Sequence, residues 1–243
     1  MCKEVVKLLV EYTGGRGQEA ERAAALIAVG TTVDSRIAEC VAAQIPSALF
    51  AAIQSHAGSR TTLFYFACSV IENIACDEAG LSAVLAAQGP TILLAAMRVN
   101  AESTDFASNG CRALHSIALR PSGQQAVVAA GAMSAIVATM TALKSSSRVA
   151  EYCSKALGVI ARSSDEAVAS AAIVAAMTTH NGVAAVAEQG CRALCNIASL
   201  PAGKSAIIFV GGRTAIEAAV TRHAAAKEPG AAALAALKSS APL

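Results

Sequence analysis

Two short spacings in this 243-residue chain have the form of metal chelates. Cys111 and His115 stand four residues apart, as do Cys191 and Cys195. Residues so spaced share one face of a helix, so each pair offers two ligands to a zinc ion. The flanking sequence matches as well: Gly110-Cys111-Arg112-Ala113-Leu114-His115-Ser116-Ile117-Ala118 returns as Gly190-Cys191-Arg192-Ala193-Leu194-Cys195-Asn196-Ile197-Ala198. Equivalent positions in stacked helices lie one packing distance apart per repeat, which puts the two pairs roughly 20 Å from each other. They cannot share an ion, and two ligands without further His, Cys or carboxylate do not close a site. Neither metal nor cofactor is expected. His56, His180 and His223 fall at the ends of apolar runs with no nucleophile beside them, and His180-Asn181-Gly182 reads as a helix stop. Gly211-Gly212-Arg213 has the glycines of a phosphate loop but joins two helical runs rather than a strand to a helix. No enzymatic activity is expected.

What must position these residues is a repeat. The nonapeptide recurs at an offset of 80, with weaker copies at Val70-Ile71-Glu72-Asn73-Ile74-Ala75 and Ala156-Leu157-Gly158-Val159-Ile160-Ala161. Beyond it, Pro121, Gly123, Ala126, Gly131, Ala135 and Ile136 return as Pro201, Gly203, Ala206, Gly211, Ala215 and Ile216. The spacings between successive unit ends are 45, 43, 43 and 37, so the chain holds about five units. A period near 40 marks a solenoid, whose units bury their apolar faces on their neighbours. Residues 1–243 are read as one continuous domain, with units near 1–30, 31–75, 76–118, 119–161, 162–198 and 199–243, the first and last incomplete or atypical. Hydrophobic residues make up 55% while aromatics are only 3%, so the core must be built from Ala, Val, Leu and Ile.

Within the unit from Pro121 to Arg162, Pro121-Ser122-Gly123 suits a helix start and Gly131 ends a short apolar run. Met133, Ile136, Val137 and Met140 then mark one face of a second helix. Ser145-Ser146-Ser147 supplies caps for a third, whose stripe runs Val149, Tyr152, Cys153, Ala156, Leu157 and Ile160. After Ala161 the next second helix arrives six residues early, so the first helix is expected to be shortened or lost, with a fused helix starting near Asp165-Glu166-Ala167 and a local kink in the array. Val5–Tyr12 and Gln18–Val29 read as a second and a third helix of a unit lacking its first, and both ends of the array look cut rather than capped. The uncharged stretches Ala79–Met97, Pro121–Leu143 and Ala167–Ala187 approach the length of a membrane span, yet Gln88-Gly89-Pro90 and Gly131 split two of them into short helices. Neither membrane insertion nor a signal peptide is expected.

A short, a medium and a long helix in about 42 residues, with Ala193-Leu194-Cys195-Asn196-Ile197-Ala198 closing the third, resembles the armadillo repeat. The resemblance covers nearly the whole chain. It implies an all-α fold, a right-handed α-solenoid or superhelix of about five three-helix repeats. It further implies a concave groove lined by third helices, in which an Asn near the end of the third helix clamps the backbone of an extended peptide and a Trp one turn earlier packs its side chains. This chain has Ala28, Asn73, Ser116, Gly158 and Asn196 at the first position, and Ala24, Ser69, Arg112, Lys155 and Arg192 at the second. The resemblance therefore implies a modified groove. Arg112, Lys155 and Arg192 would attract an acidic or phosphorylated segment, Asn73 and Asn196 would bond its backbone amides, and Tyr65 would add an aromatic contact. Glu151 and Glu188, four residues before Lys155 and Arg192, allow a competing reading as solvated helix pairs. Arg112 has Ser108 there instead and is expected to be the least satisfied cation.

The implied function is a non-catalytic protein-protein interaction scaffold. The alternatives are a structural spacer in a cytoskeletal or ciliary assembly, and a regulatory domain of a larger enzyme or of a small GTPase. The partner would be protein, as an extended peptide segment or a helix, and the open ends allow end-to-end self-association. A net charge of +2 with no Lys/Arg block argues against nucleic acid. Eight cysteines, with Cys40, Cys68, Cys111, Cys153 and Cys191 at apolar helical positions, suit reduced buried thiols and a cytoplasmic location, with nucleus and cilium as alternatives.

Overall fold

Proline, glycine and hydroxyl side chains start and stop the helices. The structure, a computed structural model, describes residues 37–238 except 43, 57, 59–60 and 162–165. The expected helices Val5–Tyr12 and Gln18–Val29, and the start proposed at Asp165, lie outside the described residues. Two compact units divide the chain, residues 1–130 and 131–243.

In the first unit the helices run α1 Ile37–Ala42, α2 Ile45–Ser55, α3 Thr61–Ile74, α4 Glu78–Ala86, α5 Gly89–Val99, α6 Thr104–Ala118 and α7 Pro121–Ala129. The order is short, medium, long, repeated. Asp77 caps α4 by accepting from the Gly80 N–H at 3.0 Å, and Ser103 caps α6 through the Phe106 N–H. Between first and second helices the chain turns through Gln44 and Gln88, each with φ of 56°. That break bends α4 from α5 by 60° and ends the apolar run from Ala79. The long helices α3 and α6 pack along each other, with Phe64 stacked on Phe106 at 4.4 Å between ring centroids. Leu63, Ala67, Val70, Ile71, Leu114 and Ile117 form the core between them, none more than 1% exposed.

In the second unit α8 Ala132–Ala142, α9 Ser147–Ile160, α10 Glu166–Thr179, α11 Ala184–Ala198, α12 Pro201–Phe209, α13 Gly212–Arg222 and α14 Lys227–Lys238 follow, with a 3₁₀ turn at Ala224–Ala226. Gly131 and Gly211 enter the second helices α8 and α13 at φ of 79° and 75°, where a side chain would be strained. The irregularity expected after Ala161 is present: α10 is one 14-residue helix where other units have two. It packs on α8, α9, α11, α12 and α13, and so takes over contacts elsewhere divided between two helices. The third helices stack in the order α9, α11, α14.

The glycine that opens the recurring nonapeptide has a packing reason. A Cβ at Gly110 would strike the Met97 thioether, and one at Gly190 would strike Met177. In each of the two units a second-helix methionine packs against the third-helix glycine at the same register.

Candidate functional site

The third helices carry the candidate residues, and the densest arrangement spans α3 and α6. Arg112, on α6, reaches back to three residues of α3. Its Nε lies 3.0 Å from Glu72 Oε2, its Nη2 donates to Ser69 Oγ at 2.9 Å, and its guanidinium stands 5.5 Å from the centre of the Tyr65 ring. Ser69 Oγ in turn donates to the Tyr65 carbonyl at 3.1 Å. The Nε–H is not aimed along the Glu72 contact, which makes that contact an ion pair rather than a linear hydrogen bond. Tyr65 itself remains 41% exposed.

This overturns the expectation that Arg112 would be the least satisfied cation. Its partners lie 40 to 47 residues earlier on a packed neighbour helix, beyond any spacing within one helix. Glu72 was missed for the same reason: its signal is the stacking register, since position 72 falls within one turn of Ser69, the residue equivalent to Arg112. Ser108 and Ser116, both groove candidates by their positions on the third helix, are only 1% and 5% exposed. Ser108 Oγ donates back to the Thr104 carbonyl at 2.7 Å, which removes it from recognition. Asn73 is half-buried one turn beyond Ser69.

In the second unit α9 carries Glu151 and Lys155, and α11 carries Glu188, Arg192 and Asn196. Arg192 is paired along its own helix, with Nη2 3.1 Å and Nε 3.2 Å from Glu188 Oε1. Burial pushes the Glu151 carboxyl above its ordinary value; Lys155 opposes the rise, Glu188 adds to it and Arg148 opposes it. A carboxylate whose folded pKa is raised stabilises the fold below its unfolded pKa, and that contribution is lost as pH rises through the folded value. Ionised Glu151 therefore works against folding at neutral pH. Carboxylates and cations alternate on this face: Glu151, Lys155, Glu188, Arg192. Asn196 is half-buried beyond them.

The residue equivalent to Asn196 on α9 is Val159, not Gly158, because Ala156-Leu157-Gly158-Val159-Ile160-Ala161 aligns position for position with Ala193–Ala198. Gly158 instead faces the neighbouring helix, where an added Cβ would come within 2.6 Å of Ala193 Cα.

Among the described residues no three His, Cys, Asp or Glu side chains converge on a metal-sized site. Cys68, Cys111 and Cys191 are buried thiols. Burial raises the Cys68 and Cys195 thiols and pushes Cys191 up to about 12, with Cys195 adding to the Cys191 shift. Such thiols are poor nucleophiles and poor ligands. His180 and His223 end second helices as expected, but with partners the sequence did not reveal. His180 Nε2 bonds the Lys144 carbonyl at 2.9 Å and His223 Nε2 bonds the Asn181 carbonyl at 2.8 Å. Each histidine bonds a carbonyl in the turn that follows the preceding second helix, and the Asn181 carbonyl also accepts from Arg222 Nη1 at 3.4 Å, so the structural role is repeated one unit apart.

Neither a family model nor a curated protein matches the sequence. Solved structures do match. An engineered protein superposes with a TM-score of 0.82 at 24% identity, covering 98% of this chain and 96% of that one. A designed armadillo repeat protein in complex with the peptide (KR)4 gives 0.78 at 19% identity, covering 97% of this chain and 99% of that one. A chain from a structure concerning a phosphorylation switch between cadherin and beta-catenin gives 0.73 at 17% identity, with 98% of this chain matched to 45% of that one. The fold is the armadillo-like repeat fold, all-α and built as a solenoid of three-helix units.

Proposed function

We propose that this chain is a non-catalytic protein-binding scaffold whose third helices, in each unit, take extended partner segments. The observation that carries the proposal is the exposed Tyr65 ring beneath the Arg112 guanidinium, fixed from below by Ser69 and Glu72. A pre-set aromatic and guanidinium lose little freedom when a partner docks, and these two side-chain types dominate binding energy at protein interfaces. The armadillo-like fold supports the same reading, because one of the similar designed proteins holds a peptide.

The partner segment proposed is acidic, and its charge contributes both to its register and to its affinity. Arg112 and Arg192 already face Glu72 and Glu188. A guanidinium has five donors, so a partner carboxylate adds to these contacts rather than displacing them. Asn196 and Asn73 are the proposed contacts to peptide amides. The buried cysteines favour a reducing setting, and a cytoplasmic location is part of the proposal.

The test is fluorescence anisotropy of labelled extended peptides of acidic, neutral and basic composition, with Tyr65→Ala and Arg192→Glu variants whose helicity is checked by circular dichroism. An acidic peptide should bind in preference to its basic counterpart, more tightly at low salt, and each variant should weaken it by about tenfold, the usual scale of an interface anchor. Equal binding of all peptides, or of wild type and both variants, rejects the third-helix site.

A further inference from the structure

An apolar knob and a mostly apolar hole, whose lining also includes Asn181 and Arg222, sit on consecutive residues of the second unit. Phe209, the last residue of α12, is 92% exposed, and Ile208 before it is 52% exposed. The equivalent positions on α4 and α7 are Ala86 and Ala129, so stacking of units requires no aromatic here. Val210 and Gly211, the next two residues, line a groove of about 320 Å³ between α10 and α13, with Val174, Met177, Ala215 and Ala218 among its walls. The corresponding groove between α8 and α10 measures about 200 Å³ and has no such knob beside it.

We infer that this face joins two copies of the chain about a twofold axis, with Phe209 of each copy entering the α10–α13 groove of the other. Self-complementarity selects a second copy as the occupant. When knob and hole lie side by side, one twofold rotation forms both contacts at once and closes the assembly at two. The area agrees with a weak dimer. Two aromatic side chains bury about 300–500 Å² between them, and the walls they cover lose a comparable area. With Ile208 the total approaches the ~1,000 Å² at which specific association begins. The pairing uses α10, α12 and α13, with Ala187 of α11 also in the groove lining, and leaves Glu188, Arg192 and Asn196 outside it, so a dimer presents two peptide-binding faces and gains avidity for a partner with two segments.

Analytical ultracentrifugation of the full chain from about 1 µM to about 500 µM tests this, a range that brackets interfaces of this size. The mass should rise with concentration and level off at two copies. Phe209→Ala, which removes the knob, and Ala218→Leu, which fills the hole, should each weaken association by at least about tenfold. Both positions are exposed, so neither change threatens the core. An equimolar mixture of the two variants should associate more strongly than either alone, because it restores one knob and one hole. A wild-type chain that stays monomeric, oligomers that grow past two, undiminished association of Phe209→Ala, or a mixture no better than its components overturns the inference.

Discussion

Arg112 has a 17% exposed side chain, and its three partners on α3 make it a fastener between helices as much as a recognition residue. Hydrogen bonds to charged groups contribute about 1.5–3 kcal/mol and a guanidinium over a ring about 0.5–1 kcal/mol. Arg112→Ala is therefore expected to cost about 2 kcal/mol in urea unfolding, with a coupling of about 1 kcal/mol to Glu72→Ala in a double-mutant cycle. Arg112→Lys should not rescue it, because a lysine cannot reach Ser69 and Glu72 at once in the fork geometry of arginine. Arg192 occupies the equivalent position, yet its side chain is 57% exposed and pairs only along its own helix. Its replacement by Ala should cost less than about 0.5 kcal/mol. Zero coupling between positions 72 and 112 would mean that the contact does not hold α3 to α6.

At the scale of elements, α9 and α11 meet more closely than side chains on both helices would permit. Gly158 makes the approach: its missing Cβ would lie 2.6 Å from a backbone atom of the neighbour, which cannot swing aside. Gly158→Ala gains about 1 kcal/mol of helix propensity but must push the helices apart, and overpacking of this kind costs about 1–3 kcal/mol. Net destabilisation is expected in thermal unfolding. Gly182→Ala, at a turn with open space around the position and no left-handed backbone, should be neutral or stabilising by up to about 1 kcal/mol. The opposite order would show that Gly158 is tolerated for other reasons than close approach. These two glycines also mark how far sequence could reach. The three-helix unit, its punctuation by Gly131 and Gly211 and the fused α10 were legible, because each is a local matter of turn residues and apolar period. The role of Gly158 was not, since a helical glycine looks the same whether it faces a groove or another helix. The partners of Arg112 and the burial of Ser108 and Ser116 were hidden for a related reason: all depend on how one third helix registers against others.

At the scale of the molecule, a core made mostly from Ala, Val, Leu and Ile, with Phe50, Phe64 and Phe106 as buried aromatics in the first unit and 3% aromatic residues in the chain, depends chiefly on contact between successive helices. Stability in such an array is a sum over neighbours, so position in the stack sets local stability. In the second unit α11 has a third helix on each side, α9 and α14, whereas α14 packs on α11 alone among third helices. Its exposed face is largely alanine, with Ala231, Ala232 and Ala235 in water. Hydrogen exchange followed by mass spectrometry should find the amides of α11 protected most, and those of α14 exchanging at least about tenfold faster, through openings that leave α9 and α11 paired. Equal protection across α9, α11 and α14 would mean that the unit opens only as a block. The distinction bears on recognition, because Glu188, Arg192 and Asn196 all stand on α11. If α11 is the last helix to open, the face offered to a partner stays formed while the end of the stack frays, and the partner binds without first having to order it.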